Sequence, residues 1–173
     1  SGNGYKRQML FVENGDDGDS YNYSPPRADW IITSENSMTA LQSQKSAISQ
    51  SLLLTYALKV PGDLTERAAR VTSATLNLSV NIRLHDDDLI RFTLDVDNNG
   101  LSHRLCVHFA TDICANVSCA DQLFGVVTRP VQLTNALRLW EEERWQEKPI
   151  SIEPMQSYVN VHDEQHGFTL HTN

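Results

Sequence analysis

The sequence predicts an all-β protein, an antiparallel β-sandwich with at most one short helix. Apolar and polar residues alternate with a period of two along several stretches, as in strands with one buried face. Segments rich in Gly, Pro, Asn and Asp separate these stretches and read as turns. With 173 residues, the chain is long enough for its own core, and we expect a single sandwich domain over residues 1–173.

Four stretches carry the alternation most clearly. They are residues 50–60, 70–83, 89–96 and 104–110. Their predicted inward-facing residues are Leu52, Leu54, Tyr56, Leu58 and Val60; Ala74, Leu76, Leu78, Val80 and Ile82; Ile90, Phe92, Leu94 and Val96; and Leu105, Val107 and Phe109. Because the connections between them are short, we expect a meander over residues 50–112 in which each strand pairs with the one before it.

Five weaker strands complete the predicted set. They are short, rich in β-branched or aromatic residues and bounded by turn residues, and they lie at residues 8–13, 29–34, 123–129, 155–161 and 167–172. Turns are predicted at residues 61–63, 85–88, 97–100 and 163–167.

One stretch, residues 134–145, has helical spacing. Leu137, Trp140 and Arg144 fall at positions i, i+3 and i+7. A short helix and an irregular loop are both compatible with this pattern.

Charge and composition exclude several function classes. The chain has 14 basic and 22 acidic residues, a net charge of -8, and no Lys/Arg cluster beyond the Lys6-Arg7 pair. Nucleic-acid binding needs a positive surface, so it is not expected, whereas neutral sugars remain compatible partners. No apolar run approaches the ~18 residues of a membrane span, so no membrane association is expected.

The cysteines predict a reducing, cytoplasmic environment. There are three, without a CxxC spacing, namely Cys106, Cys114 and Cys119. No secretory signal peptide is recognisable, so the N-x-S sequons at Asn22, Asn77 and Asn116 are not expected to carry glycans. The chain begins with Ser-Gly-Asn-Gly and lacks an initiator Met, which predicts a processed or partial chain.

Three patterns resemble metal sites but favour simpler interpretations. Residues 95–100 match the start of a calcium loop, yet Cys106 stands where the bidentate Glu is required, so a hairpin turn is favoured. Residues 84–88 are best explained as an acidic turn, because neighbouring side chains of a strand point in different directions. Cys106 and His108 share a strand face, but one pair does not make a zinc site. No hydrolase or phosphate-binding motif is present.

The stretch "FVENGDDGDSYNYSPP", residues 11–26, is the strongest candidate for a functional segment. Its glycines permit tight turns, and its Asp and Asn side chains can bond nearby backbone, so a solvated loop is one interpretation. The other is a rigid sugar-facing loop. Asp16 and Asp19 would accept hydrogen bonds from sugar hydroxyls, and a tyrosine ring such as that of Tyr21 would stack on a pyranose.

The same stretch resembles a segment of the C-terminal β-sandwich domain of glycoside hydrolase family 38, the α-mannosidases. The pattern there is F-x-[ED]-x-G-D-x-G-D-x-Y-[ND]-[YF]-x-P. Three later runs are similar to that domain and follow in the same order: "HRLCVHFATDI", "ADQLFGVVTRP" and "WQEKP" with "MQSYVNVHDEQHGFTL". The resemblance spans nearly the whole chain and is nearest to the bacterial branch, which includes mannosylglycerate hydrolase. Departures from the bacterial pattern occur at His108, Ala110 and Asp112, where it has an apolar residue, Pro and Gly.

The resemblance implies that the catalytic groups lie elsewhere. Family members are several times longer, and their N-terminal α/β domain carries the nucleophilic aspartate, the acid/base aspartate and a zinc ion held by His and Asp. We therefore expect a sandwich domain truncated at both ends, with no catalytic residue, no metal site and no cofactor in this chain. Its partners would be the N-terminal catalytic domain and an α-mannoside, with mannosylglycerate as one candidate. Alone, the chain is expected to be inactive.

By residue-for-residue match, the resemblance also implies substrate-binding roles for Tyr21 and Arg129. Two alternatives remain open. One is a stand-alone carbohydrate-binding module that uses Trp30, Trp140 or Trp145 as a platform. The other is a scaffold that only positions the catalytic domain. A sheet edge left bare by missing strands would also favour an edge-mediated homodimer.

Overall fold

The computed structural model describes residues 9–19, 21–87, 89–145 and 148–172 and confirms the all-β, antiparallel class. Gln8, at the start of the first predicted strand, and Asp88, in the predicted acidic turn, lie outside the described residues. The chain divides into two compact units, of which the first ends at Ala110 and the second begins at Thr111.

The first unit is a sandwich of two antiparallel sheets. Its elements are β1 (Met9–Gly15), β2 (Ile32–Thr33), β3 (Met38–Lys45), β4 (Ser49–Val60), α1 (Leu64–Ala69), β5 (Ala74–His85), β6 (Ile90–Asp97) and β7 (His103–Phe109), with a short 3₁₀ turn at Ser34–Asn36. One sheet has the strand order β2-β1-β7 and the other the order β3-β4-β5-β6.

The core of this unit lies between β1 and the β4–β5 pair. These two long strands form a continuous ladder from Ser49↔His85 to Val60↔Ala74. Their alternate apolar side chains meet Phe11 of β1, whose ring contacts Tyr56 edge-on with centroids 5.3 Å apart. The buried cluster consists of Phe11, Leu54, Leu58, Val60, Leu76, Leu78 and Val80. The predicted alternation is confirmed for most of β4 and β5, but Leu52, at the start of β4, is 39% exposed. Each fully buried side chain of this kind contributes about 1.5–3 kcal/mol.

The predicted meander is only partly correct. β4, β5 and β6 pair in sequence, but β7 pairs with β1 in the other sheet. Residues 97–100 therefore connect the two sheets and do not form a hairpin, and Ser102 takes a left-handed conformation in the crossing, with φ 50°. The predicted buried face of β6 is also wrong: its four apolar side chains are 38–57% exposed. β6 is the end strand of its sheet, and the buried cluster is built on β1, β4 and β5.

The predicted turn at residues 61–63 leads into a short helix, α1. The Asp63 carboxylate caps this helix by accepting the N–H of Glu66 at 2.8 Å. The Glu66 carboxylate in turn accepts the N–H of Gly62 at 2.8 Å, close to the reciprocal arrangement of a capping box. Arg70 ends the helix in a left-handed conformation, with φ 56°.

The second unit contains a four-stranded antiparallel sheet and a helix. Its elements are β8 (Val117–Gln122), β9 (Gly125–Pro130), α2 (Thr134–Glu143), β10 (Tyr158–His162) and β11 (Gly167–His171), with the strand order β11-β10-β8-β9. The stretch with helical spacing is therefore a helix. In the predicted turn between β10 and β11, Asp163 Oδ1 accepts the N–H groups of Gln165 and His166.

Two strands, β3 and β8, were not predicted, and β2 is shorter than expected. Asp112, which stands where the related bacterial pattern has glycine, adopts φ 53°, a conformation that glycine favours. Cys106, Cys114 and Cys119 are unpaired. Among the described residues, no helix has the length and apolar character needed to cross a membrane.

Candidate functional site

The acidic stretch forms a loop after β1, here called the Tyr21 loop (residues 16–25). Its entry is fixed by two backbone hydrogen bonds. The N–H of Gly15 donates to Asp29 Oδ1 at 2.9 Å, and the N–H of Asp16 donates to the Ser102 carbonyl at 2.9 Å. The backbone at the start of the loop is therefore hydrogen-bonded to two other segments, at Asp29 and at Ser102.

Inside the loop, the carboxylates bond the loop's own backbone. Asp16 Oδ1 accepts the N–H groups of Gly18 at 2.9 Å and Ser24 at 3.1 Å. Asp19 Oδ1 accepts those of Tyr21 at 2.8 Å and Asn22 at 2.9 Å. These two bonds, that from Tyr21 first, lower the pKa of Asp19 below its usual value. Asp16 and Asp19 thus order the loop, and their predicted contacts with substrate stay a prediction.

The close turn around Gly18 requires glycine. A Cβ atom at this position would lie 1.8 Å from the Asn22 carbonyl oxygen. The N–H of Asp17 also donates to the Ser24 carbonyl at 2.8 Å, which joins the two arms of the loop. The loop is acidic in sequence, but the carboxylates of Asp16 and Asp19 accept hydrogen bonds from its own backbone and so stabilise its conformation.

The two tyrosines of the loop play different parts. Tyr21 is 93% exposed. Tyr23 is half-buried: its hydroxyl accepts a hydrogen bond from Asn14 Nδ2 at 2.6 Å, and the Arg104 guanidinium lies over its ring, 3.6 Å from the centroid. Arg104 Nε also donates to Asn14 Oδ1 at 2.9 Å. Tyr23 is the anchor of the loop, which leaves Tyr21 as the aromatic ring available to a ligand.

A buried ionic cluster lies at the foot of the loop. The Arg67 guanidinium, from α1, bonds the carboxylate of Glu13, the Trp30 carbonyl at 2.6 Å and Asp29 Oδ1 at 3.5 Å. Glu13 is 0% and Arg67 2% exposed. Charges at this depth are stable only when paired, so the cluster joins β1, α1 and the segment that follows the loop.

His103 completes this cluster. Its Nδ1 lies 3.2 Å from Glu13 Oε1, within ion-pair distance but without hydrogen-bond alignment. Its Nε2 lies 2.9 Å from Asn98 Oδ1. Among the described residues, Glu13 Oε2 has no hydrogen-bond partner.

Arg129, the other residue predicted to bind substrate, belongs to β9 in the second unit. Its Nη1 donates to the Pro154 carbonyl at 2.9 Å, and its Nε lies 3.6 Å from Glu153 Oε2. These contacts attach β9 to the segment before β10. The structure thus brings Asp16, Asp19 and Tyr21 together in one loop and places Arg129 in a different unit.

Asp121 is a second carboxylate that organises a turn. It accepts a hydrogen bond from the Ser157 hydroxyl and from the backbone N–H groups of Gln156, Ser157 and Tyr158. These bonds, with that of the Ser157 hydroxyl largest, hold the pKa of Asp121 well below its usual range. Asp121 therefore fixes the start of β10 against the end of β8.

The tryptophans offer little support for an aromatic platform. Trp30 and Trp140 are half-buried, and Lys148 Nζ lies 5.5 Å from the Trp140 ring. Trp145 is 43% exposed, and its Nε1 donates to Glu143 at 2.8 Å.

The described part of the chain contains no cluster of potential metal ligands. No group of three or more His, Cys, Asp or Glu side chains lies close enough there to hold an ion. In the sequence that resembles a calcium loop, Asp97 accepts a hydrogen bond from Asn77 at 3.2 Å.

Comparison with known proteins identifies the family. The family model described as "Glycosyl hydrolases family 38 C-terminal domain" matches residues 4–173, and the chain therefore belongs to this family. Among solved structures, the chain is similar to an alpha-mannosidase from Enterococcus faecalis V583, with a TM-score of 0.77 and 23% sequence identity. The match covers 94% of this chain and 19% of that chain. A search of curated proteins found no match.

Several residues that shape the site were not predicted from the sequence. Glu13, Asn14 and Tyr23 lie within the acidic stretch, but nothing in their order separates the anchoring tyrosine from the exposed one. Arg67 could have been placed on a helix, because Asp63 and Glu66 have the spacing of a capping box. Its burial beside Glu13 depends on packing between segments distant in sequence.

Proposed function

We propose that this chain is the β-sandwich domain of a retaining α-mannosidase and that its Tyr21 loop frames the sugar to be hydrolysed. The observation that carries the proposal is the exposed Tyr21 ring on an internally bonded loop, in a chain of family 38. An ordered loop presents its ring without a large loss of conformational entropy when sugar binds. The named neighbour is an alpha-mannosidase, which supports the choice of substrate class.

The chemistry assigned to the loop is recognition of the sugar. A tyrosine ring packs against the apolar face of a pyranose, and its hydroxyl exchanges hydrogen bonds with sugar hydroxyls. Arg129, through its guanidinium, is a second proposed contact, with Asp16 and Asp19 as further acceptors. The natural substrate in this proposal is an α-mannoside, and mannosylglycerate is the first candidate to test.

Bond cleavage is assigned to the rest of the protein. Retaining glycosidases need two carboxyl groups about 5–5.5 Å apart across the scissile bond. We propose that an N-terminal catalytic domain supplies both groups, together with a zinc ion that would bind sugar hydroxyls and help distort the ring. We further propose a bacterial protein, because the sequence resembles the bacterial branch of the family. A cytoplasmic location is part of the same proposal, because the three unpaired cysteines suit a reducing compartment.

Association between two copies is a further part of the proposal. β3 and β6 are the end strands of their sheet, and both are exposed along their length. Exposed end strands can pair with another chain, so an edge-mediated homodimer is expected. Light scattering of the purified chain tests this, and a monomer at all concentrations would contradict it.

The proposal is tested on the full-length protein that carries this chain, with α-mannosides including mannosylglycerate as substrates. Tyr21→Ala is expected to lower kcat/KM by about tenfold or more, as expected when a substrate contact is lost. Ile48→Ala, which alters an exposed side chain between β3 and β4, is the control and should leave kcat/KM unchanged. Turnover by the isolated 173-residue chain, or wild-type activity of Tyr21→Ala, would contradict the proposal.

A further inference from the structure

Arg67 is the most deeply placed cation among the described residues, and no part of the proposed function uses it. It comes from a helix of six residues, yet its side chain reaches three acceptors on two other segments: Glu13, Asp29 and the Trp30 carbonyl. Its guanidinium is 1% exposed as a side chain, and the Glu13 carboxylate beside it is 0% exposed. A cation so buried is fixed in position by its partners.

The aliphatic part of Arg67 lies close to Gly15, the last residue of β1. A Cβ atom built on Gly15 would lie 2.7 Å from Arg67 Cδ and 2.6 Å from Pro26 Cγ. Gly15 immediately precedes the Tyr21 loop, and Pro26 immediately follows it. Arg67 and Pro26 thus both occupy the space where a side chain of residue 15 would stand, and we call this contact the neck of the loop.

Asp29 connects the neck to the guanidinium. Its Oδ1 accepts the N–H of Gly15 at 2.9 Å and that of Trp30 at 2.8 Å, and Arg67 Nη1 lies 3.5 Å from the same oxygen. The direction in which the chain leaves β1 is therefore determined by Arg67 in two ways, by contact with Gly15 and through the carboxylate that bonds its N–H.

We propose that Arg67 is a positioning residue for Tyr21. It holds the neck so that the loop presents the exposed ring in one direction toward a mannoside. This inference rests on the function proposed for the Tyr21 loop. Arg67 is not expected to touch the substrate, so its effect should pass entirely through Tyr21.

The decisive experiment is a double-mutant cycle in the full-length protein, with hydrolysis of an α-mannoside as the readout. Gly15→Ala adds one methyl group to the neck and removes no charged group. We expect it to lower kcat/KM by about tenfold, because small displacements of substrate-positioning groups are costly. In a Tyr21→Ala background it should cause no further loss, since coupled residues are not additive. Additive losses, or wild-type kcat/KM in Gly15→Ala, would overturn the inference.

Gly167→Ala is the matched control. A Cβ atom there would meet its nearest neighbour, His162 Cβ, at 3.6 Å, an ordinary contact. This variant should keep the wild-type kcat/KM. A loss equal to that of Gly15→Ala would show that the effect is not specific to the neck and would count against the inference.

Arg67→Lys tests the guanidinium itself. Lysine keeps a positive charge beside Glu13 but lacks the planar fork that serves several acceptors at once. We expect a lower kcat/KM when Tyr21 is present and no further loss in the Tyr21→Ala background. A purely structural role for Arg67 predicts the same loss in both backgrounds. If the lysine variant does not fold, the Gly15→Ala cycle decides alone.

Hydrogen exchange separates failure of this inference from failure of the proposed function. An absence of α-mannoside turnover in the wild-type protein would contradict the function, but it would not affect exchange in residues 16–25. Gly15→Ala should reduce protection of the amides of Asp17 and Ser24, whose hydrogen bonds close the loop. Unchanged protection would overturn the positioning role whatever the activity.

Discussion

Asn14 donates a hydrogen bond to the Tyr23 hydroxyl at 2.6 Å, and this bond anchors the loop on which Tyr21 is exposed. Asn14 is itself buried and also accepts from Arg104, so one amide holds both the ring and the cation stacked on it. The two tyrosines, separated by one residue, therefore differ in environment: Tyr23 attaches the loop to the sheet, and Tyr21 is exposed.

Removing the Tyr23 hydroxyl should weaken the chain. Tyr23→Phe leaves the Asn14 amide without its partner in a buried position, and a hydrogen bond of this kind contributes about 1 kcal/mol to stability. The measurement is the urea unfolding midpoint of the 173-residue chain. Tyr21→Phe, which changes an exposed hydroxyl, is the matched control and should leave the midpoint in place. Equal midpoints for all three proteins would show that Tyr23 is not an anchor.

The Tyr21 hydroxyl distinguishes recognition from scaffolding. If the loop contacts substrate, Tyr21→Phe should lower kcat/KM of the full-length enzyme by about three- to tenfold, the amount that one hydrogen bond of about 1 kcal/mol supplies. Steady-state kinetics on an α-mannoside measures this. Kinetics identical to wild type would show that the Tyr21 hydroxyl makes no hydrogen bond to the substrate. Such a result would favour the alternative in which the domain only positions the catalytic domain.

Breaking the buried ion pair should be costly unless both charges are removed. Arg67→Met takes the guanidinium away from the buried Glu13 carboxylate, which keeps the His103 ring nearby but loses its permanent cation, and should lower the free energy of unfolding by about 3–5 kcal/mol. The double variant Arg67→Met/Glu13→Gln removes the uncompensated charge and should recover part of this loss. Chemical denaturation of the three proteins provides the comparison. A double variant that is less stable than Arg67→Met would contradict this account.

The Asp121 carboxylate predicts acid sensitivity in the second unit. Because the folded state holds its pKa below the unfolded value of about 3.9, its stabilising effect is complete above that pH and is lost as the pH falls through the folded pKa. Thermal unfolding followed from about pH 6 down to about pH 2 should show this loss in the wild type.

Two variants check the assignment to Asp121. Asp121→Asn should be less stable near neutral pH and should depend less on pH in the acid range, since it has no carboxylate to protonate. Ser157→Ala removes the hydroxyl that is the largest cause of the lowered pKa, and should move the acid loss of stability to higher pH. The same acid profile in all three proteins would assign the sensitivity to other groups.

The fold was predictable where burial leaves a period-two pattern. β4 and β5 face the core on one side, so their alternation is strong and was identified from the sequence. β3 and β8 lack such a pattern, and their strand conformation comes from pairing with β4 and β9. For β6 the alternation predicted a buried face that is in fact exposed. Alternation shows that one face of a strand is apolar, but it does not show whether another element covers that face.

The candidate site was predictable only in part. Family resemblance indicated Tyr21, and composition indicated a loop. The contacts that fix the loop depend on Arg67 and Arg104, which are distant from the loop in sequence, and no pattern in the sequence indicates that they contact it. Buried ion pairs of this kind are decided by packing between segments, which a single sequence does not reveal.

The neck at Gly15 also limits how the Tyr21 loop could be transplanted by protein engineering. Residues 16–25 bond much of their own backbone, which suggests a cassette that could be grafted onto another sheet. Their departure from the sheet, however, depends on a proline, a helix-borne arginine and an aspartate that lie outside the cassette. A designer who moves the loop would have to carry all three supports with it, or select a new host that supplies equivalents.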